Sequence, residues 1–236
     1  MTTVPTIVLV HGAFAESASW NGVIAGLREH DLSVIAAANP LRSLSGDADV
    51  VSGLVSALDG PVVLVGHSYG GQVISGAVRG DDRVKALVFV AAFAPEEGES
   101  IAELSGRFPG STLGQTLNPV ALPDGSTDLY IHQNRYHQQF AADLPPERAA
   151  LDAVTQRPLN DRALNDKAGP PAWRHLPSWF VYPELDRNIP LAAHRFMAER
   201  ADARERAEIG GASHALPASQ PAAVAGVILQ AVEAIA

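Results

Sequence analysis

The feature that most constrains the fold of this chain is the alternation of short apolar runs with segments of helical periodicity. The apolar runs are rich in β-branched residues and nearly free of polar ones, which is typical of strands covered on both faces. The alternation predicts βα units and a parallel sheet flanked by helices, an α/β fold. The predicted strands are residues 6–10, 32–37, 61–66, 84–92, 178–182 and 206–210. The predicted helices are residues 17–30, 46–59, 68–80, 190–203 and 220–236.

The alternation is interrupted between residues 95 and 177. Loops rich in Gly and Pro come first, and helical segments without a strand pattern follow them. These segments are predicted at residues 128–144, 145–156 and 160–168. Because open parallel sheets bind ligands at the carboxyl ends of their strands, we expect residues 95–177 to form a helical lid over that edge. The core would then consist of residues 1–94 and 178–236.

Composition excludes several function classes. The chain has 236 residues, of which 47% are apolar, enough for one substantial core. Its 17 basic and 26 acidic residues give a net charge of −9, which disfavours a nucleic-acid partner. It contains no cysteine, which excludes a disulfide framework, a thiolate nucleophile and a Cys-based zinc site. The sequence has neither a signal-peptide pattern nor an apolar run of about 18 residues, so we expect a cytoplasmic protein without a membrane partner.

One serine stands between two glycines where a predicted strand turns into a predicted helix. The segment from Gly66 to Gly70 matches the pattern G-x-S-x-G, in which a serine is held at a strained turn so that its hydroxyl stands clear of the sheet. Ser68 is therefore the candidate nucleophile. The backbone N–H of Tyr69, at the start of the helix, is a candidate oxyanion donor. The alternative is a glycine-rich turn with an incidental serine.

A serine hydroxyl needs a neighbouring base, and the base needs a carboxylate that orients it. His214 lies in a loop of small residues between the last predicted strand and the last predicted helix, and it is the candidate base. Asp186 follows the fifth predicted strand and is the candidate acid, with Glu184, Glu96 and Glu97 as rivals. The alternatives are a loop histidine without a catalytic role and a carboxylate that only stabilises a turn.

The loop after the first predicted strand would supply the second oxyanion donor. Its most favoured N–H is that of Ala13, followed by that of Phe14. His11 and His67 are interpreted as buried hydrogen-bonding residues rather than as additional bases. No metal-binding or nucleotide-binding pattern is found, so we expect neither a metal nor a cofactor.

Aromatic residues of the first loop and of the predicted lid could line an apolar substrate pocket, although packing within the lid explains them equally well. The substrate-binding candidates are Phe14, Phe108, Tyr130, Tyr136, Phe140 and Trp173. An exposed apolar lid surface would also serve as a dimer contact. A homodimer therefore stays an open alternative.

The order of four segments resembles the α/β-hydrolase superfamily. These segments are LVHGAF, VGHSYGG, the D-R-x-I-P stretch that starts at Asp186, and the G-x-S-H loop that ends at His214. The chain is most similar to the small, lid-bearing bacterial serine hydrolases, which are similar to plant methyl-ester esterases and hydroxynitrile lyases. The resemblance implies a triad of Ser68, His214 and Asp186. It also implies an oxyanion hole from the N–H groups of Ala13 and Tyr69, and a compact sheet of about six mostly parallel strands.

One departure separates the activities within that superfamily. The plant lyases carry a threonine after the first-loop histidine and a lysine after the catalytic histidine, where this chain has Gly12 and Ala215. The resemblance therefore implies a carboxylic ester hydrolase. With the candidate triad and the aromatic residues, we expect it to act on an ester of a small, largely apolar molecule through an acyl-enzyme on Ser68. The open alternatives are C–C lyase, perhydrolase, lactone hydrolase or amide hydrolase chemistry with the same triad, and a non-catalytic small-molecule receptor.

Overall fold

A six-stranded parallel sheet forms the centre of the structure, a computed structural model that describes residues 4–235. Within this range the strands are β1 (Thr6–Val10), β2 (Ser33–Ala37), β3 (Val62–His67), β4 (Val84–Val90), β5 (Leu117–Ala121), β6 (Thr127–Ile131), β7 (Leu159–Asn160), β8 (Ser178–Pro183) and β9 (Glu205–Ile209). The main sheet has the order β2-β1-β3-β4-β8-β9, and all of its strand pairs are parallel.

Helices connect these strands. They are α1 (Asn21–Arg28), α2 (Leu44–Ser56), α3 (Tyr69–Ala77), α4 (Ile101–Arg107), α5 (Gln133–Phe140), α6 (Pro146–Thr155), α7 (Asp161–Asn165), α8 (Leu191–Arg200), α9 (Leu216–Ser219) and α10 (Pro221–Ile235). Short 3₁₀ turns lie at Ser17–Trp20, Leu113–Gln115 and Ala172–Arg174. Between residues 4 and 235, no helix has the length and apolarity that crossing a membrane requires.

The predicted α/β core is confirmed. Each of the six predicted core strands is present, with ends that differ by at most two residues. The predicted helix 17–30 is a 3₁₀ turn followed by α1, and the predicted helix 220–236 is α10, whose predicted last residue lies outside the described range. Sequence periodicity located these elements well because both faces of a parallel sheet are buried, which makes its strands continuously apolar.

Apolar side chains fill both faces of the sheet. Alternate residues of a strand point to opposite faces, so Ile7 and Leu9 of β1 pack in one cluster with α1 and α10. Val8 and Val10 pack in the other cluster, with α2 and α3. The second cluster also contains buried side chains from residues 95–177, including Tyr136. This segment is therefore packed onto the core rather than attached by a flexible linker.

The segment 95–177 is not purely helical, which corrects the sequence prediction. Strands β5, β6 and β7 form an antiparallel sheet in that order. The helix predicted over 128–144 is wrong at its start, because residues 128–131 belong to β6 and α5 begins at Gln133. The turn that joins β5 to β6 contains the dipeptide Asp124-Gly125, a strong hairpin signal, and Gly125 has a φ of +80°. β5 contains Pro119, and proline is rare in strands other than edge strands. For this reason the sequence pattern did not indicate β5, which is an edge strand.

Candidate active site

Ser68 occupies the sharp turn between β3 and α3. Its φ is +54° and its ψ is −122°, a strained conformation for a residue with a side chain. The flanking glycines are required by the close packing of this turn: a Cβ on Gly66 would lie 2.5 Å from the carbonyl oxygen of Gly70, and a Cβ on Gly70 would lie 2.4 Å from that of Val10. The strained serine and its small neighbours match the geometry expected from the G-x-S-x-G pattern.

A chain of hydrogen bonds joins Ser68 to the predicted base and acid. His214 Nε2 lies 2.9 Å from Ser68 Oγ, and His214 Nδ1 lies 2.7 Å from Asp186 Oδ2. Asp186 follows β8 and His214 follows β9, so all three side chains meet at the carboxyl edge of the sheet. All three residues are buried, and Ser68 is 7% exposed. The structure therefore brings the three predicted catalytic residues together.

The carboxylate of Asp186 accepts hydrogen bonds at both oxygens. Its Oδ1 accepts from the backbone N–H groups of Asn188, at 2.7 Å, and Ile189, at 2.9 Å. Its Oδ2 accepts from His214 and also from Nε2 of His194, at 3.0 Å. Burial alone would raise the pKa of Asp186, but the charge of His214 and the hydrogen bonds from both histidines lower this pKa below its usual value. Asp186 is thus held as a carboxylate.

The rival carboxylates lie outside this hydrogen-bond chain. Glu184 is exposed and accepts the N–H of Gly211 at 2.9 Å. Glu96 forms an ion pair with Arg174. Glu97 is exposed. Of the four acidic candidates, Asp186 is the one within hydrogen-bond distance of His214.

The predicted oxyanion donors belong to two segments that meet at Ser68, the start of α3 and the loop after β1. Tyr69 is the first residue of α3, so its N–H has no acceptor within the helix. Gly12 brings the other loop close, since a Cβ there would lie 2.6 Å from Ser68 Cβ. The N–H of Phe14, the second choice in this loop, donates to the carbonyl of Arg157 at 2.8 Å. This bond removes Phe14 as a donor and leaves the N–H of Ala13 as the candidate in this loop.

His11 and His67 are buried hydrogen-bonding residues, as interpreted from the sequence. His11 Nδ1 lies 2.9 Å from the carbonyl oxygen of Gly12, and His11 Nε2 accepts the N–H of Asn39. His67 Nε2 lies 3.0 Å from the carbonyl oxygen of His214. Burial lowers the pKa of His11 to about 4 and that of His67 to about 3. Both rings are therefore neutral near pH 7 and hold the loops around Ser68.

Asp47 of α2 contacts the side chain of Tyr69, the residue after Ser68, and the sequence did not predict this contact. The hydroxyl of Tyr69 donates to Asp47 Oδ2 at 2.8 Å, and both residues are buried. Burial raises the pKa of Asp47, while its hydrogen bonds from the backbone of Arg42 and from Tyr69 oppose this rise. The contact fixes the side chain of the residue that carries a candidate oxyanion donor. The position of Asp47 near the start of α2 does not predict this contact.

Three of the predicted substrate-binding residues form an aromatic layer beside the histidine. The ring of Phe140 lies 4.9 Å from that of His214 and 6.3 Å from that of Phe14, measured between centroids. Tyr136 stacks on Phe140 at 5.0 Å, and its hydroxyl donates to the carbonyl of Phe14 at 2.8 Å. The carbonyl of Phe140 also accepts the N–H of Ala215. The segment 95–177 is therefore tied to both loops that carry candidate catalytic groups.

The other aromatic candidates lie elsewhere. Tyr130 lines a groove with Asn118 and Val154. The candidate catalytic residues do not line this groove. Trp173 is buried and donates its indole N–H to the carbonyl of Pro95 at 3.1 Å. Phe108 packs on Phe196, with ring centroids 5.3 Å apart. Neither these contacts nor the groove joins these three aromatic residues to Ser68.

Known proteins share both the sequence pattern and the fold over most of the chain. A family model described as the alpha/beta hydrolase family matches residues 7–227. The chain belongs to the α/β-hydrolase family. The resemblance drawn from the sequence motifs is thereby confirmed, together with the fold that it implied.

Individual relatives of this hydrolase are named esterases. The esterase PIR7B of rice, Oryza sativa subsp. japonica, is 26% identical over an alignment of 258 residues that covers 94% of each protein. The carbendazim hydrolyzing esterase of Nocardioides sp. (strain SG-4G) is 34% identical over 110 residues, so the match spans 41% of the hydrolase and 46% of that relative. Among solved structures, the methylesterase MES16 from Arabidopsis superposes with a TM-score of 0.81 at 18% identity, covering 98% of this chain and 99% of that one. The predicted enzyme class, a carboxylic ester hydrolase, agrees with the names of these relatives.

Proposed function

We propose that this hydrolase cleaves carboxylic esters of small, largely apolar molecules through an acyl-enzyme on Ser68. The observation that carries the proposal is the hydrogen-bond chain from Ser68 through His214 to Asp186, at an elbow where Ser68 is held with a positive φ. A serine with an imidazole at 2.9 Å and an ionised carboxylate behind that imidazole has what nucleophilic catalysis requires.

The geometry supports a two-step reaction. In the first step, Ser68 Oγ attacks the ester carbonyl carbon while His214 Nε2 takes the hydroxyl proton, and Asp186 stabilises the resulting imidazolium. The carbonyl oxygen becomes an oxyanion that the N–H groups of Ala13 and Tyr69 would stabilise. His214 then gives its proton to the leaving alcohol as the C–O bond breaks, and the acyl group stays on Ser68. In the second step His214 activates a water that releases the acid.

The surroundings of the nucleophile favour an uncharged, apolar substrate. Phe140 is buried next to His214 and packs against Phe14 and Tyr136, which are also buried, and aromatic side chains of this kind favour an apolar acyl or alcohol group. The esterase names of the relatives support the same class of reaction.

The backbone at Gly12 argues against lyase chemistry of the plant type. A Cβ at this position would lie 2.6 Å from Ser68 Cβ and 2.7 Å from the carbonyl oxygen of His67. A threonine, which the plant lyases carry here, would require these backbone segments to move apart. Gly12 therefore favours hydrolysis over C–C cleavage.

The experiment that tests the proposal is hydrolysis of p-nitrophenyl esters from acetate to octanoate. We expect the wild type to hydrolyse them, with the chain-length profile reporting the size of the pocket. Ser68→Ala should lower kcat by roughly 10⁴-fold or more. Ser75→Ala is the matched control, because Ser75 is a buried serine of α3 whose hydroxyl has no hydrogen-bond partner among the described residues, and it should keep the wild-type rate. A folded wild type that hydrolyses none of these esters, or a Ser68→Ala variant that keeps most of the rate, would contradict the proposal.

A further inference from the structure

His194 is a second imidazole on the proposed catalytic acid. Its Nε2 lies 3.0 Å from Asp186 Oδ2, the same oxygen that accepts from His214 Nδ1 at 2.7 Å. With the two backbone N–H groups on Oδ1, the carboxylate accepts four hydrogen bonds, which is about its full capacity. Asp186 therefore cannot turn away from His214 without breaking a bond to another donor.

The position of His194 is set by two elements of the core. It lies near the start of α8, eight residues after Asp186, and its side chain is fully buried. Its ring stacks on Tyr182 of β8, with centroids 5.4 Å apart and an angle of 6° between the planes. The imidazole thus extends from α8, stacks on a side chain of β8, and directs its Nε2 to the carboxylate.

The surroundings of His194 fix which nitrogen carries its proton. Asp186 is ionised and can only accept, so His194 Nε2 must be protonated. Its Nδ1 is buried and has no hydrogen-bond partner among the described residues. Burial lowers the pKa of His194, and the hydrogen bond to Asp186 opposes this without cancelling it. The charged or titratable neighbours are Asp186, His214 and Tyr182. The ring is therefore a neutral donor, since a second proton on Nδ1 would be buried without an acceptor.

We propose that His194 is a positioning residue of the triad: its Nε2–H holds Asp186 Oδ2 against His214 Nδ1 while His214 gains and loses a proton during turnover. The catalytic meaning of this contact rests on the proposed esterase function. The hydrogen bond from His194 disperses charge on the oxygen shared with His214, so Asp186 stays ionised while His214 is charged. A fixed carboxylate keeps His214 aligned with Ser68, and small misplacements of a catalytic group can cost about 100-fold in rate.

Two substitutions separate the hydrogen bond from the packing. His194→Phe keeps a planar ring to stack on Tyr182 and removes the donor. His194→Gln loses the ring, and its amide N–H can reach the place of Nε2. We expect His194→Phe to lower kcat for p-nitrophenyl esters by roughly 10- to 100-fold with KM changed less than about twofold, and His194→Gln to recover most of the wild-type kcat. A kcat for His194→Phe equal to or above that of His194→Gln would show that packing matters instead and would overturn the inference.

A second measurement on the wild type needs neither turnover nor a folded variant. In a sample with ¹⁵N-labelled histidine, NMR should show His194 as the neutral tautomer with its proton on Nε2 near neutral pH, and this proton should exchange slowly with solvent. A charged ring, or a proton on Nδ1, would overturn the inference. If the NMR signature is present and the wild type hydrolyses no ester, the proposed function fails while the contact between His194 and Asp186 stands.

Discussion

Ser68 has a φ of +54°, a value that residues other than glycine rarely adopt. The turn around it leaves no room for a Cβ on the flanking glycines. The strain is maintained by hydrogen bonds on both sides of the residue. Its N–H donates to the carbonyl of Val90, and its own carbonyl accepts from Phe93 and from Gly71. The backbone therefore positions Ser68, the proposed nucleophile, independently of the contact between its side chain and His214.

The close packing of this turn can be tested by adding a Cβ at Gly70. A Cβ on Gly70 would lie 2.4 Å from the backbone oxygen of Val10, whereas a Cβ on Gly76 of the same helix would lie 3.6 Å from the Cβ of Ala48, an ordinary contact. We expect Gly70→Ala to lower the melting temperature by several degrees and to reduce esterase activity. Gly76→Ala, the matched control, should leave both unchanged or raise stability by up to about 1 kcal/mol. Equal melting temperatures for the two variants would contradict this account.

The sequence predicted the residues that carry a motif and missed those that act through tertiary contacts. Ser68 lies in a spaced glycine pattern, and Asp186 and His214 lie in loops after predicted strands, so their meeting at one edge of the sheet follows from the topology. His194 and Asp47 are single polar residues within helices. The sequence pattern does not distinguish these two residues from solvent-exposed ones. Their roles depend on which face of the helix packs against Asp186 or Tyr69, and the sequence does not show this.

At the scale of elements, periodicity predicted the core and failed in the segment 95–177. Core strands are covered on both faces and read as continuous apolar runs. Strand β6 has the sequence TDLYI, in which Asp128 is buried and bonded to Arg42 and Asn160. A strand whose polar side chains are satisfied by partners distant in the chain carries no continuous apolar run, so periodicity does not distinguish it from a helix.

Helix α5 links the segment 95–177 to the loop after β1 through one hydroxyl. Tyr136 is buried and donates to the carbonyl of Phe14 at 2.8 Å. Tyr136→Phe should lower the free energy of unfolding by about 1–3 kcal/mol, because the buried carbonyl loses its donor, and should lower kcat several-fold. Tyr130→Phe is the matched control: its hydroxyl makes no hydrogen bond within the described residues and it is only half-buried, so we expect changes below about 0.5 kcal/mol. Chemical denaturation of both variants checks this, and equal losses would refute the link.

At the scale of the whole molecule, buried neutral histidines make stability depend on pH. The folded pKa of His67, about 3, lies below the value of 6.5 for an unperturbed histidine. Between these two pH values the unfolded chain binds more protons than the folded one. The contribution of His67 to the free energy of unfolding is therefore complete above pH 6.5 and is lost as the pH falls towards 3. His11, with a pKa of about 4, acts in the same direction.

His67→Gln isolates one of these contributions. Gln can still donate to the carbonyl of His214 and cannot be protonated. We expect the wild-type free energy of unfolding to fall between pH 6.5 and pH 4, with His67 contributing up to about 1.4 kcal/mol per pH unit, and His67→Gln to show a shallower fall. His30→Gln, at an exposed histidine, is the control and should keep the wild-type slope. Urea denaturation across this pH range gives the slopes, and parallel slopes for wild type and His67→Gln would contradict the assignment.

Covalent labelling tests whether Ser68 is the activated nucleophile of an esterase. A fluorophosphonate reacts with an activated serine by forming an O–P bond and releasing fluoride, and the product is stable enough for mass spectrometry. We expect one phosphonyl group per wild-type chain, located on the peptide that contains Ser68. We expect the same labelling for Ser75→Ala, much slower labelling for His214→Ala, and none for Ser68→Ala. Label on another residue, or equal labelling of the folded Ser68→Ala protein, would contradict this role of Ser68.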